Sequence, residues 1–210
     1  MTRHLTIFLC SASLFLSILA SEAGSLTLSG LKSEYCVNPL GLDTPQPRLS
    51  WLLESKERGQ QQTAYQVLAA TSLDVLAKGT GDLWDSGKVS SAESVHVAYG
   101  GQPLRSGQRV YWKVRAWDRQ DRPSAYSAPA WWEMGLLAPA DWQAAWLTRQ
   151  RPAPRSEQQM FEDAPAPLLR KEFAIPKAIR RARVYVSGLG YYELRLNGQR
   201  VGDHVLDPGW

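Results

Sequence analysis

Residues 109–118 (RVYWKVRAWD) constrain the fold more than any other stretch of the chain. Val110, Trp112, Val114 and Ala116 alternate with Tyr111, Lys113, Arg115 and Trp117. A period of two belongs to a strand with one buried face, whereas a helix would scatter these residues around its axis. Comparable runs recur at intervals of roughly ten residues between Ser25 and Leu137. Residues 48–53 (RLSWLL) follow the extended Pro45-Gln46-Pro47. Residues 63–71 (TAYQVLAAT) put Tyr65, Val67 and Ala69 on one face, residues 95–99 (VHVAY) close at Gly100-Gly101, and residues 130–134 (AWWEM) come last. The turn Arg119-Gln120-Asp121-Arg122-Pro123 separates the final two. Short strands with frequent turns predict an all-β antiparallel sandwich over residues 25–138; the one helical stretch, 72–78 (SLDVLAK), is too short to change the class.

The start and the cysteines bear on where the chain works. Met1-Thr2-Arg3-His4 is basic, residues 5–20 are mostly apolar, and Ser21-Glu22-Ala23 ends in small residues, which reads as a secretory signal peptide over residues 1–23. The apolar run is shorter than the ~20 residues needed to cross a bilayer, no second one follows, and no membrane span is expected. Cys10 leaves with the leader and has no lipoprotein motif around it. Cys36 then has no internal disulfide partner, so packing alone must stabilise the fold, and a secreted or periplasmic location is expected. A composition of 44% apolar and 21% charged residues excludes wholesale disorder and fibrous repeats. Nine Trp are unusual for 210 residues. Each has a large apolar body and an N–H that needs a partner, so several belong in the core and others at a face or interface, where an indole also stacks on sugars.

Beyond the sandwich the pattern changes. Residues 139–167 read as a junction and Pro-rich linker. Trp142 and Trp146 are expected to be buried there, against the sandwich or at its contact with the next domain, and residues 148–167 form a tether carrying four prolines. From Leu168 alternation resumes in residues 168–175 (LLRKEFAI), 182–186 (ARVYV) and 191–196 (YYELRL). The last runs into Asn197-Gly198, the strongest short hairpin signal.

These blocks carry a resemblance. Tyr111 to Asp118, followed by Ser124-Ala125-Tyr126-Ser127, looks like the late strand pair of a fibronectin type III sandwich. Residues 35–43 (YCVNPLGLD), 47–51 (PRLSW) and 84–88 (WDSGK) together resemble the leading domain of bacterial α-L-rhamnosidases. Residues 184–203 and 206–210 are similar to the next domain of the same enzymes, a galactose-binding-like jelly roll. The resemblance implies a fibronectin type III or Ig-like sandwich followed by an incomplete jelly roll over residues 168–210. A jelly roll needs ~8 strands and about four are read here. The second domain is therefore expected to be cut short, as a fragment of a longer reading frame or a truncated gene product, and to be protease-sensitive.

The resemblance further implies an inverting hydrolase that releases terminal α-L-rhamnose, with its acid and base in an (α/α)6 barrel downstream. Glycoside hydrolysis usually needs two carboxylates facing across the scissile bond, and no pair of the 20 Asp and Glu has a spacing that singles it out. No catalytic, cofactor-binding or metal-binding residue is nominated, and sugar-contacting residues are left unassigned. His96 and His204 lack zinc-ligand spacing. Gly79-Thr80-Gly81 and Gly188-Leu189-Gly190 lack the context of a dinucleotide loop, and Ser86 lacks the flanking glycines of a nucleophile elbow. Some family members bind rhamnose with calcium through a domain of the second type, so calcium is implied only for a complete second domain. The turn from Asp203 to Asp207 and exposed Trp are the features such a site would use. The nine Lys or Arg against four Asp or Glu in residues 149–183 straddle a loop and two strands, and no nucleic-acid partner is expected. Two functional classes follow: the non-catalytic N-terminal portion of a secreted α-L-rhamnosidase acting on rhamnose-containing glycans or glycosides, or a stand-alone carbohydrate-binding or adhesion module. A helical barrel encoded after Trp210 would separate them.

Overall fold

The computed structural model describes residues 26–148, 156–160, 166–205 and 207–208. The expected leader and most of the Pro-rich tether lie outside the described residues. The chain forms two compact units that divide after Ala145.

In the first unit, β1 (Thr27–Ser33), β2 (Arg48–Glu54), β3 (Ala64–Ala70), α1 (Leu73–Ala77), β4 (Trp84–Asp85), β5 (Val97–Ala98), β6 (Arg109–Trp117) and β7 (Ala130–Glu133) follow in order. They build two antiparallel sheets, β1-β2-β5 and β4-β3-β6-β7. The faces read from alternation are the faces that pack: Tyr65, Val67 and Ala69 of β3 and Val110, Trp112, Val114 and Ala116 of β6 join Leu28, Leu49, Trp51 and Val97 of the other sheet in one core. Register explains how Trp112 fits. It lies opposite Ala69 on β3 and Ala130 on β7, so both cross-strand neighbours end at Cβ and leave room for the indole.

Indole N–H groups are treated unequally. Trp51 Nε1 donates to Gln62 Oε1 at 3.0 Å, and the Gln62 amide donates to the Ser91 and Glu93 carbonyls. Trp112 and Trp132 have no hydrogen-bond partner for Nε1 among the described residues. Burial outweighs the loss: an indole removes 150–250 Å² from water, about 4–6 kcal/mol at ~25 cal/mol per Å², against about 1–3 kcal/mol for one unmade bond.

β3 is buried along its whole length because α1 covers its outer side, where Leu68, Ala70 and Leu76 form a second small cluster. Ser72 caps α1, its Oγ accepting from Val75 N at 3.2 Å. One expectation needs correction here. The strand read over residues 95–99 shrinks to Val97–Ala98, because His96 takes the left-handed conformation, φ 61°, and breaks the pleat. Trp117, on the outer side of β6, is buried as well, with Lys88 and Arg115 lying over its ring.

After a 3₁₀ turn at Pro139–Asp141, residues 142–148 form no helix or strand. Trp142 and Trp146 are 44% and 69% exposed there, so the burial expected of both is not found. The second unit holds the short helix α2 (Glu157–Met160), β8 (Arg195–Leu196) and β9 (Gln199–Arg200). The Asn197-Gly198 hairpin forms as read, with φ 49° and 80°, as a type I′ turn requires. The strands expected over residues 168–175 and 182–186 do not form. An extended segment becomes a strand only when a neighbour takes up its N–H and C=O groups, and among the described residues none runs beside these two.

Candidate functional site

Two shallow clefts of about 330 and 430 Å³ share Gln102 and Pro103 at one end of the sandwich. Thr44, Gln46 and Tyr99 line the first; Thr71, Arg105 and Gln108 line the second. Tyr99 Oη donates to the Leu83 and Gln102 carbonyls at 3.3 and 2.9 Å, and burial pushes its pKa up to about 12. Neither cleft brings two carboxylates face to face, the arrangement that glycoside hydrolysis uses.

The outer side of the four-stranded sheet carries a stack of cations and rings. Lys113 lies 4.5 Å from the Tyr126 ring centroid, Arg115 lies 4.9 Å from both Tyr126 and Trp117, and Lys88 lies 5.0 Å from Trp117. Gln66 ties the stack together. Its Oε1 accepts from Arg115 Nε at 2.9 Å and from Tyr126 Oη at 3.1 Å, and its Nε2 donates to Asp85 Oδ1 at 2.6 Å. Burial lowers the Lys113 pKa and raises that of Tyr126. At the sheet's end Arg109 sits 3.9 Å from the Trp131 ring centroid and pairs with buried Glu133 at 3.0 Å. The cations are thus engaged in holding aromatic rings and carbonyls, and this surface serves the fold.

The family-like block at residues 35–43 is a clasp. Asn38 Oδ1 accepts from Trp131 N at 2.9 Å, Glu133 N donates to the Pro39 carbonyl at 3.0 Å, and Leu42 bridges Met134 in parallel. The segment therefore covers the open edge of β7. At its start Arg48 forks onto Glu34, with 2.6 Å at the closest approach, and this guanidinium holds the Glu34 carboxyl below its ordinary pKa.

The weighed sequence motifs have structural partners. Ser86 Oγ accepts from Val67 N and donates to the Gly87 carbonyl. A Cβ on Gly81 would meet the Trp84 carbonyl oxygen at 2.0 Å, so this glycine permits a close backbone approach. Gly79 follows α1 with φ 75°. Gly190, with Leu189, stands in a bend of the second unit, and Gly188 lies just before it. His96 meets Tyr35 Oη at 2.5 Å. His204 lies 3.8 Å from Asp203 and 3.6 Å from Asp207. Among the described residues no group of three or more His, Cys, Asp or Glu is placed to hold a metal ion, and Cys36 is a free, exposed thiol.

One residue escaped the sequence reading. Asp118, fully buried, accepts from Gln120 N, Arg122 N and Arg122 Nε at 2.9–3.0 Å. An Asp that opens a polar turn and precedes a cation by four residues was the available signal.

The model of the Rha78A-like, N-terminal immunoglobulin domain matches residues 28–138, and that of the alpha-L-rhamnosidase N-terminal domain matches residues 177–210. An alpha-L-rhamnosidase of Formosa agariphila is 39% identical over 185 residues, 81% of this chain and 19% of its own length. One from Streptomyces avermitilis is 37% identical over 205 residues, covering 89% of this chain and 20% of its own. Among solved structures, the alpha-L-rhamnosidase from Dictyoglumus thermophilum superposes with a TM-score of 0.77 at 39% identity, over 91% of this chain and 22% of that one. The Streptomyces avermitilis alpha-L-rhamnosidase complexed with L-rhamnose gives 0.57 at 45% identity, over 60% and 12%. The chain spans about a fifth of the length of the curated relatives it matches. With two N-terminal domain models matched in order and this identity over most of its length, the chain belongs to the α-L-rhamnosidase family.

Proposed function

We propose that this chain is the non-catalytic N-terminal portion of a secreted α-L-rhamnosidase that hydrolyses terminal α-L-rhamnose from glycosides or polysaccharides. The observation that carries the reading is the match itself, which covers most of this chain but only about a fifth of each relative. In this reading the sandwich supports or orients a downstream barrel that holds the acid and base, rhamnose-containing glycans are the substrate of the whole enzyme, and residues 1–23 export it. Calcium enters only through a complete second domain, and nucleic acid is no partner.

The purified chain is expected to release no p-nitrophenol from p-nitrophenyl α-L-rhamnoside, while its in-frame fusion ahead of the remaining four fifths of the Streptomyces avermitilis enzyme is expected to be active. Release by the chain alone, or a dead but folded fusion, would overturn the reading. Export is checked separately by expressing the chain in a bacterial host: exported protein should begin at Gly24, and full retention in the cytoplasm would refute the leader.

A further inference from the structure

Asparagine occurs only twice in the chain, at positions 38 and 197, and the two stand in opposite surroundings. Asn38 is followed by Pro39, whose nitrogen carries no hydrogen, and its Oδ1 accepts from Trp131 N at 2.9 Å. Asn197 is followed by Gly198. Both are exposed, and they form the tip of the β8–β9 hairpin with φ of 49° and 80°. An asparagine before glycine is open to attack by its own main chain, because no Cβ crowds the next amide nitrogen and the glycine backbone reaches conformations closed to other residues.

The hairpin that restrains Asn197 is weak. Only two residues pair on each side, Arg195 with Arg200 and Leu196 with Gln199, and a lone two-stranded hairpin is marginal in water. Like charges directly opposite oppose pairing, and here Arg195 faces Arg200, with Glu193 2.6 Å from Arg195 Nε and 3.8 Å from Arg200 Nε. Arg195 Nη1 also donates to the Gly198 carbonyl at 3.1 Å, which keeps a cation beside the turn. A positive charge there favours both a deprotonated Gly198 nitrogen and the oxyanion that its attack would create.

We propose that Asn197 is a self-modification site, converting to aspartate and isoaspartate through a cyclic imide with Gly198 while Asn38 keeps its amide. When the hairpin opens, the Gly198 nitrogen gives its proton to hydroxide and attacks Asn197 Cγ. The bond from Cγ to Nδ2 breaks, and ammonia leaves after taking a proton from water, which returns the hydroxide. Water then opens the imide. Addition at Cγ gives aspartate, and addition at the main-chain carbonyl gives isoaspartate, with the backbone rerouted through Cβ and Cγ. The net reaction consumes one water and releases one ammonia. Isoaspartate puts an extra methylene into the turn, so Leu196 and Gln199 lose their register, and either product sets a new carboxylate beside Arg195.

The test holds the 210-residue chain at mildly alkaline pH, with and without urea, and follows positions 38 and 197 by peptide mass spectrometry and isoaspartyl methyltransferase labelling. The folded chain is expected to convert Asn197 at no less than about a tenth of the rate in urea, because a marginal hairpin opens at little cost. Asn38 should stay an amide in both. Gly198→Ala, compared in urea where the fold plays no part, should convert about tenfold more slowly, and hydroxylamine should cut the wild-type chain between residues 197 and 198. Conversion in urea with none in the folded chain would overturn the proposal, since the hairpin would then protect Asn197. Equal conversion at Asn38, or deamidation at Asn197 without isoaspartate and without hydroxylamine cleavage, would overturn the imide route.

Discussion

The two units read alike in sequence and differ in what becomes of the alternation. In residues 109–117 every second side chain is buried and the intervening ones are covered by cations, rings and α1. In residues 168–205 the same kind of pattern leaves Leu168 98%, Val184 62% and Tyr191 63% exposed, and only two strands of two residues each form. Alternation supplies an apolar face. A second sheet supplies what that face buries against, and a lone two-stranded hairpin is marginal in water.

The largest expected effect is kinetic. Limited proteolysis of the chain should cut within residues 166–205 while residues 26–145 survive intact, since protection follows buried backbone bonds. Equal resistance of both segments, read by mass spectrometry of the fragments, would break the contrast. Next comes a matched pair of truncations. Trp112→Ala should destabilise the first unit by about 3–5 kcal/mol in urea unfolding, whereas Leu189→Ala should change it by less than about 0.5 kcal/mol. A similar cost at both positions would mean that the second unit contributes to the cooperative core.

Smaller effects sharpen the first unit alone. Asp118→Ala removes a fully buried carboxylate that closes the turn after β6 and leaves Arg122, about a third exposed, without that partner. The expected cost is about 2–3 kcal/mol in the same assay, below that of a fully buried pair because water reaches the guanidinium. The smallest effect is a pH dependence. Glu34 has its folded pKa lowered from 4.5, chiefly by its hydrogen bond with Arg48, so its contribution is present above the unfolded pKa and lost as pH falls through the folded one. The melting temperature of the wild type should exceed that of Glu34→Gln at neutral pH, and the gap should close on acidification below about pH 4. A gap that persists at low pH would show that the carboxylate charge is not its source.

The β-sandwich was legible because each sheet packs one face on the core, and that requirement prints a period of two in residues 48–53 and 109–118. Asn197-Gly198 announced its turn, since it acts through neighbouring backbone. Less was legible where a residue acts across the chain. Asn38 bonds to Trp131, 93 positions away, and Gln62 reaches the Trp51 indole and two carbonyls near residue 92. No local pattern marks such a pairing, and the left-handed turn at His96 was hidden within an apparently regular run.

By itself the sequence determined the all-β class, the core faces of β3 and β6 and the family. Each of these rests on local periodicity or on contiguous blocks of residues. Only the tertiary structure decided that the block at residues 35–43 closes the edge of β7, that Trp112 sits between two alanines, and that equivalent alternation stays exposed beyond Leu168. Those outcomes depend on which backbone edges and side chains meet across the fold, and burial is a property of the meeting rather than of the residue.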